Sequence, residues 1–201
     1  MNLLTTLLAL TPLLAPALTS NCSNNAFTVM SIRSGSPIQY LSLTAASTNF
    51  YLGGTTSSAC PSEVADYGAC PASNQTVISG NSYLDSAYVQ EIYIDPTGAV
   101  KFVEAHTTYI PSGASTSTFC YTPGTTYGYW TYTGLGATGF MACPITSTGE
   151  EEVADAGPYQ VFAAMGNASV PTGNVADCLG FEAVAVGWNG AEGSVAAWQY
   201  D

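Results

Sequence analysis

Positive charge is what this sequence lacks most: its 201 residues hold two cationic side chains, Arg33 and Lys101, and one histidine, His106. Against them stand 14 acids, for a net charge of −12. A chain without a cationic patch cannot neutralise phosphates, so neither nucleic acid nor an anionic membrane surface is an expected partner. With a single imidazole and no Gly-x-Ser-x-Gly elbow, a serine or cysteine hydrolase lacks both base and frame. His106 follows 103–105 at the end of an expected strand, where a structural role is the reading. Asp-Thr-Gly and Asp-Ser-Gly are also missing, which argues against aspartic-protease chemistry. No Cys-x-x-Cys occurs, and one His among scattered cysteines makes no zinc site. Helical periodicity is nearly absent; only the acidic stretch 150–156 suggests a helix, stopped by Gly157-Pro158. The end, Trp198-Gln199-Tyr200-Asp201, is not the apolar tail of a glycolipid anchor, so no membrane anchor is expected.

The first 20 residues carry no charge and several apolar runs, Leu3-Leu4, 7–10 and 13–15. They end in small residues and read as a secretory signal peptide, with cleavage after Ala17 or Ser20. Thr5, Thr6, Thr11, Pro12 and Pro16 interrupt the stretch, against a membrane span of about 20 apolar residues. Export agrees with the even set of cysteines beyond it, Cys22, Cys60, Cys70, Cys120, Cys143 and Cys178, which read as disulfides. Cys60 and Cys70 can join each other or distant partners, and the spacing does not choose. Three glycosylation sequons stand at Asn21, Asn74 and Asn167, the first poorly placed beside a new amino terminus. Residues 21–201 are long enough for one secreted domain with its own core.

Short apolar stretches alternate with period two and are separated by Gly, Pro, Ser, Thr and Asn clusters. Strands are expected at 26–33, 37–43, 49–52, 88–95, 99–105, 117–122, 127–133, 138–143, 159–165, 179–188 and 194–200. Asp95-Pro96-Thr97-Gly98 has the residues of a type I turn between two of them. This pattern predicts an all-β fold, a single antiparallel β-sandwich or barrel with disulfides, with a β-trefoil as the alternative. Segments 55–85 and 145–157 are the least patterned and read as loops.

Three constellations bear on chemistry. Glu91 and Glu104, on paired strands, could serve a carboxylate-dependent glycosidase if they shared a face; the competing reading is an exposed polar face eased by Lys101. Glu150-Glu151-Glu152 with Asp155 lacks the spacing of a calcium loop and reads as a solvated acidic loop. The aromatic run Tyr121, Tyr127, Tyr129, Trp130 and Tyr132 is more suggestive. Alternation puts Tyr127 and Tyr129 on one face and Trp130 and Tyr132 on the other. One face should be core, and the other can offer flat rings to a polysaccharide or partner; Tyr127, Tyr129 and Trp130 are the candidate contacts. A plain structural role for these rings is the competing reading. Arg33 is expected to brace the turn at 34–37 through an ion pair with an acid, the alternative being a ligand-facing role.

Phe27-Thr28-Val29-Met30-Ser31-Ile32-Arg33-Ser34-Gly35-Ser36-Pro37-Ile38, then 49–53, Gly139-Phe140-Met141-Ala142-Cys143-Pro144 and Asp177-Cys178-Leu179-Gly180-Phe181 occur in that order. Over about 26–188 this resembles the small secreted cell-wall proteins of filamentous fungi related to the phialide protein PhiA, often labelled IgE-binding. The resemblance implies a secreted or wall-associated protein with no carried-over catalytic residue, and a disulfide between Cys143 and Cys178. Cys22, Cys120 and the acidic insert at 148–157 depart from the family pattern. The expectation is a non-catalytic cell-wall component without cofactor or metal. It would contact wall polysaccharide; a secreted effector recognised by a host protein and a glycosidase are the alternatives.

Overall fold

In the computed structural model, which describes residues 22–145, 157–190 and 194–201, β-branched and aromatic residues run in short extended segments. In chain order these are β1 (Phe27–Ile32), β2 (Leu43–Ala46), β3 (Asn49–Leu52), β4 (Ser58–Ala59), β5 (Ile78–Ser79), β6 (Tyr83–Leu84) and β7 (Ile92–Ile94). There follow β8 (Val100–Phe102), β9 (Phe119–Thr122), β10 (Gly128–Tyr132), β11 (Phe140–Pro144), β12 (Tyr159–Ala163), β13 (Leu179–Gly187) and β14 (Gln199–Tyr200). One helical turn, α1 (Ser62–Ala65), lies after β4. The predicted strands 26–33, 49–52, 127–133 and 179–188 match to within a residue at each end. The helix expected at 150–156 and most of the loop expected at 145–157 lie outside the described residues, as do the signal segment, Asn21 and the acidic group 150–155.

The longest strand, β13, organises the rest. Its C-terminal part pairs along the whole of β1, from Phe27↔Gly187 to Ile32↔Glu182, and its Val184 and Ala185 pair with β10 on the other side. Its N-terminal part, 179–181, pairs instead with β11. One strand therefore belongs to two sheets. The first sheet continues outward through β5 and β6 beyond β1, and through β9 beyond β10. The second runs β11-β12-β3-β8-β7, with β2 on the far side of β3. All strand pairings are antiparallel, and β14 forms a separate ladder with β4. The arrangement is a β-sandwich, without the closure of a barrel and in place of a β-trefoil. The main apolar core fills the space between the sheets, joining Phe27, Trp130 and Tyr132 to Phe50, Leu52, Phe102, Phe140 and Val161, and a smaller cluster gathers Ala99, Met141, Phe162 and Val170.

Aromatic rings bridge the two sheets. Trp130 of β10 stacks on Phe140 of β11 at 4.6 Å, Phe119 stacks on Trp130 at 5.5 Å, and Phe27 lies 4.2 Å from Tyr121. Three disulfides fasten this frame: Cys143–Cys178, the pair the family resemblance implies, together with Cys60–Cys70 and Cys22–Cys120. The last closes a separation of 98 residues, worth about 4–5 kcal/mol on loop entropy alone.

The turn at 95–98 forms as its residues require. Asp95 Oδ1 accepts from the Thr97 N–H at 2.8 Å, and the Gly98 N–H donates to the Asp95 carbonyl at 2.7 Å. Gly98 has φ +94°, and a Cβ there would sit 2.9 Å from Ala168 Cβ, so only glycine fits. Two expectations are corrected. The strand expected at 37–43 is a turn up to Leu41, and strand begins only at Leu43: Tyr40 is left-handed (φ 65°), and Gln39 and Leu41 N–H groups bond back to Ser36 and Ile38. Pro37 has no N–H and the Ile38 N–H is taken by Ser36 Oγ, so neither donates to a ladder. The loop expected at 55–85 holds β4, α1, β5 and β6, because Val77, Ile78 and Leu84 are drawn into the core.

The C-terminal strand is held by buried polar groups. Gln90 is completely buried; its Nε2 donates to the Tyr200 carbonyl at 2.8 Å, and its Oε1 accepts from the Tyr200 N–H at 2.8 Å. The Tyr200 hydroxyl donates to the Gln75 carbonyl at 3.0 Å and accepts from the Val77 N–H at 3.1 Å. Burial pushes that hydroxyl far above the tyrosine range, so it stays neutral. Gln90→Leu leaves both Tyr200 backbone groups unpaired. At about 1–3 kcal/mol for each of the two buried orphans, it should cost about 2–6 kcal/mol in urea unfolding. A change near zero would mean that Gln90 does not hold this strand.

Burial also raises the Asp85 carboxyl above its ordinary 3.8, with the Ala196 N–H pulling the other way. The folded chain then takes up this proton at higher pH than the unfolded chain. Stability attributable to Asp85 should therefore rise as pH falls from that raised value towards 3.8. The difference in unfolding free energy between wild type and Asp85→Asn, followed across this range, isolates the slope from the other acids.

Candidate functional site

Strand β10 alternates strictly: Gly128, Trp130 and Tyr132 face inward, while Tyr129 and Thr131 face solvent. Tyr127, just before the strand, is 50 % exposed and Tyr129 is 40 % exposed. Their rings meet edge to face with centroids 5.9 Å apart. Gly128 between them is obligatory, because a Cβ there would lie 2.2 Å from the Thr122 carbonyl oxygen and 2.9 Å from the Tyr121 ring. Close approach of β10 to β9 thus needs the glycine between the two tyrosines. The Tyr127 charge, then desolvation, the hydroxyl contact with Tyr127 and the more distant Glu182 all raise the Tyr129 hydroxyl above the tyrosine range. Tyr129 remains a neutral hydrogen-bonding group at any physiological pH.

Trp130 is corrected as a contact residue. It is 1 % exposed, stacked between Phe119 and Phe140, and its Nε1 donates to the Asn81 carbonyl at 2.8 Å. The alternation that exposes its two tyrosine neighbours is what buries it.

Sheet register extends the exposed face beyond the tyrosines. Tyr129 lies opposite Val184, and Val184 opposite Met30; Val186 lies opposite Thr28. Gly128↔Ala185 sets Tyr127 beside Val186, itself 43 % exposed. From Val186 and Thr28 the surface drops into a cleft of about 510 Å³. One wall is β1 with Thr28 and Met30; another is Ser42 and Thr44 of β2 and its approach. Thr56, Asn74 and Thr76 close the third side. Among the described residues no charged side chain lines it, although the chain as a whole carries −12. Its chemistry is hydroxyl, amide and methyl. Apart from the sequon at Asn74, none of these wall residues was singled out as a contact from the sequence, because Thr and Ser on a half-exposed strand carry no signal of their own; only register collects them.

The remaining candidates do not converge. The Ile92↔Phe102 register puts Val103 opposite Glu91, and the Val103 N–H donates to the Glu91 carbonyl; Glu104 lies beyond the ladder. Neither carboxylate lines the cleft. His106 sits exposed in a left-handed turn (φ 66°) with its ring 4.2 Å from Tyr88. Arg33 makes no acid its partner in the bond described: its Nη1 donates to the Gly180 carbonyl at 2.6 Å, where β13 passes from one sheet to the other. It borders a shallow groove with Phe140, Phe181 and Glu182. Among the described residues, no three His, Cys, Asp or Glu side chains gather as metal ligands, and every described cysteine is in a disulfide. Asn74 and Asn167 are both exposed.

Burial separates the aromatic run into two stability classes. Tyr127→Ala and Tyr129→Ala should each change unfolding free energy by less than about 1 kcal/mol, as surface substitutions do. Trp130→Ala should cost about 3–5 kcal/mol. Equal losses at all three positions in chemical denaturation would contradict this division.

A family model described as PhiA-like secreted protein matches residues 27–201. A protein of Arthroderma benhamiae described as an uncharacterized secreted protein is 38 % identical over 169 residues, covering 81 % of this chain and 79 % of that relative. No solved structure matches. Among the described residues, no helix is long and apolar enough to cross a membrane. With the family match running from β1 through β14, the chain belongs to the PhiA-like secreted protein family.

Proposed function

We propose that this secreted protein is a non-catalytic, cell-wall-associated component that holds a neutral wall polysaccharide. The holding surface is the Tyr127 and Tyr129 face together with the adjoining cleft. The observation that supports this most is the contrast between a strongly acidic chain and a cleft without charge, continuous with two exposed rings. A pyranose presents an apolar C–H face, which packs on an aromatic ring, and a rim of hydroxyls, which needs neutral donors and acceptors. Thr28, Ser42, Thr44 and the tyrosine hydroxyls supply the second, and Met30, Val186 and the rings supply the first. An anionic polymer would be repelled by the surrounding field. The family is described by its secretion and not by a reaction, and a register that sets Val103, not Glu104, opposite Glu91, with neither carboxylate in the cleft, favours binding over glycoside hydrolysis.

The test is retention of the purified protein on insoluble chitin, β-glucan and mannan, with sugar analysis of the same supernatants. Retention on one polymer without released sugar is expected. Tyr127→Ala and Tyr129→Ala together should weaken it by about tenfold, or roughly 1.4 kcal/mol, with unchanged stability. Released sugar that disappears in Glu91→Gln or Glu104→Gln would overturn the non-catalytic reading. Neither retention nor release would point to an effector whose partner is a host protein.

A further inference from the structure

The sequon Asn74-Gln75-Thr76 forms one wall of the cleft. Its Asn74 side chain is exposed, while Thr76 is 3 % exposed and fully engaged. The Ala45 N–H donates to Thr76 Oγ1 at 2.7 Å, and Thr56 Oγ1 lies 2.8 Å from the same oxygen. On either side, the Gln75 carbonyl and the Val77 N–H are both taken by the Tyr200 hydroxyl. N-linked transfer reads the Ser or Thr hydroxyl of the sequon along with the asparagine amide. In the folded protein that hydroxyl is locked against β2, and the backbone around it is locked by the last strand. The second described sequon differs: Asn167 and Ser169 are both exposed, beside the turn at 95–98. It lines neither the cleft nor the tyrosine face.

We infer that Asn74 carries an N-linked glycan attached before the chain folds, and that this glycan stands over the mouth of the cleft and limits what enters it. Folding then seals the sequon: Thr76 and Tyr200 close only after the sugar is in place. Asn74 is exposed at the edge of a cleft that Thr44, Met30 and Val186 also line, so the first sugars have that cleft beside them as an apolar and hydroxyl-bearing surface. The same neutral chemistry that suits a wall polysaccharide suits the protein's own glycan. The glycan and its timing stand independently; only its effect on polymer retention rests on the function proposed above.

The test uses the full chain secreted from a fungal host, with Asn74→Gln and Asn167→Gln as variants, both at exposed side chains. Asn74→Gln should lose one glycan by intact mass while keeping the wild-type unfolding midpoint. Unglycosylated chain offered to microsomal transferase should be modified at Asn74 only after reduction and unfolding, and at Asn167 in either state. In the glycosylated protein, Overhauser contacts should join the acetamide methyl of the first sugar to the Met30 or Val186 methyls. Retention on the bound polymer should rise several-fold in Asn74→Gln and stay unchanged in Asn167→Gln. Absence of a glycan at Asn74, its transfer to the folded chain, or a sugar with no contact in the cleft would each overturn the inference. If those three hold and neither form binds any polymer, the proposed function fails while the glycan cap stands.

Discussion

The structure depends on one strand serving two sheets. Along Leu179–Gly187 the ladder partner changes from β11 to β1 and β10, and the change occurs near Gly180 and Phe181. That transfer point is reinforced from three directions. Cys178, immediately before the strand, is bonded to Cys143 of β11. Arg33, just past the end of β1, caps the Gly180 carbonyl. Phe181 stacks on Phe140, which itself stacks on Trp130. A slip of one residue in β13 would turn Ala183 and Ala185 out of the core and bring Val184 and Val186 into it. Tyr129 and the cleft wall are both positioned against those same two valines, so scaffold and surface share one constraint.

The cleft shows how far apart in sequence its walls begin. β1 and β13 build one side, β2 and its approach a second, and the segment around Thr76 a third. That third wall is a stretch with little regular structure, held by the hydroxyl of Tyr200. Tyr200 is in turn clamped by Gln90, whose amide serves both of its backbone groups. Gln90 sits just before the β7–β8 hairpin, so the order of this cleft wall is transmitted from a buried amide through Tyr200. Such a fully paired polar network specifies one arrangement in a way apolar contacts alone do not.

On the function proposed above, a cleft with no charged side chain among the described residues separates two tasks in an acidic protein. The acids keep the secreted chain soluble and repel polyanions at long range. Close recognition is left to rings, methyls and hydroxyls, whose strength does not fall with salt or shift with pH near neutrality. A rigid disulfide-bonded frame suits this use, because weak contacts give useful retention only when their positions are already fixed.

Much of the fold is legible without coordinates because period-two alternation and turn chemistry are local. β1, β3, β10 and β13, the Asp95 turn and the split of Tyr127 and Tyr129 from Trp130 all follow from residues within a few positions of one another. Alternation also held the evidence that Trp130 belongs to the core, although its large amphipathic ring made it a candidate contact. Local pattern fails where burial is decided elsewhere: 37–43 has a strand's composition yet turns on Tyr40, and 55–85 looks like loop yet gives Ile78 and Leu84 to the core. The sequence by itself determined an all-β, acidic, cysteine-bearing chain and which aromatic residues share a face. Tertiary structure alone decided that Arg33 meets a carbonyl, that Glu91 and Glu104 stay unpaired, and that Thr28, Thr44, Thr76 and Val186 enclose one cleft. The reason is physical: side-chain direction is set by the backbone's own repeat, whereas the register between distant strands is set by how the whole core packs.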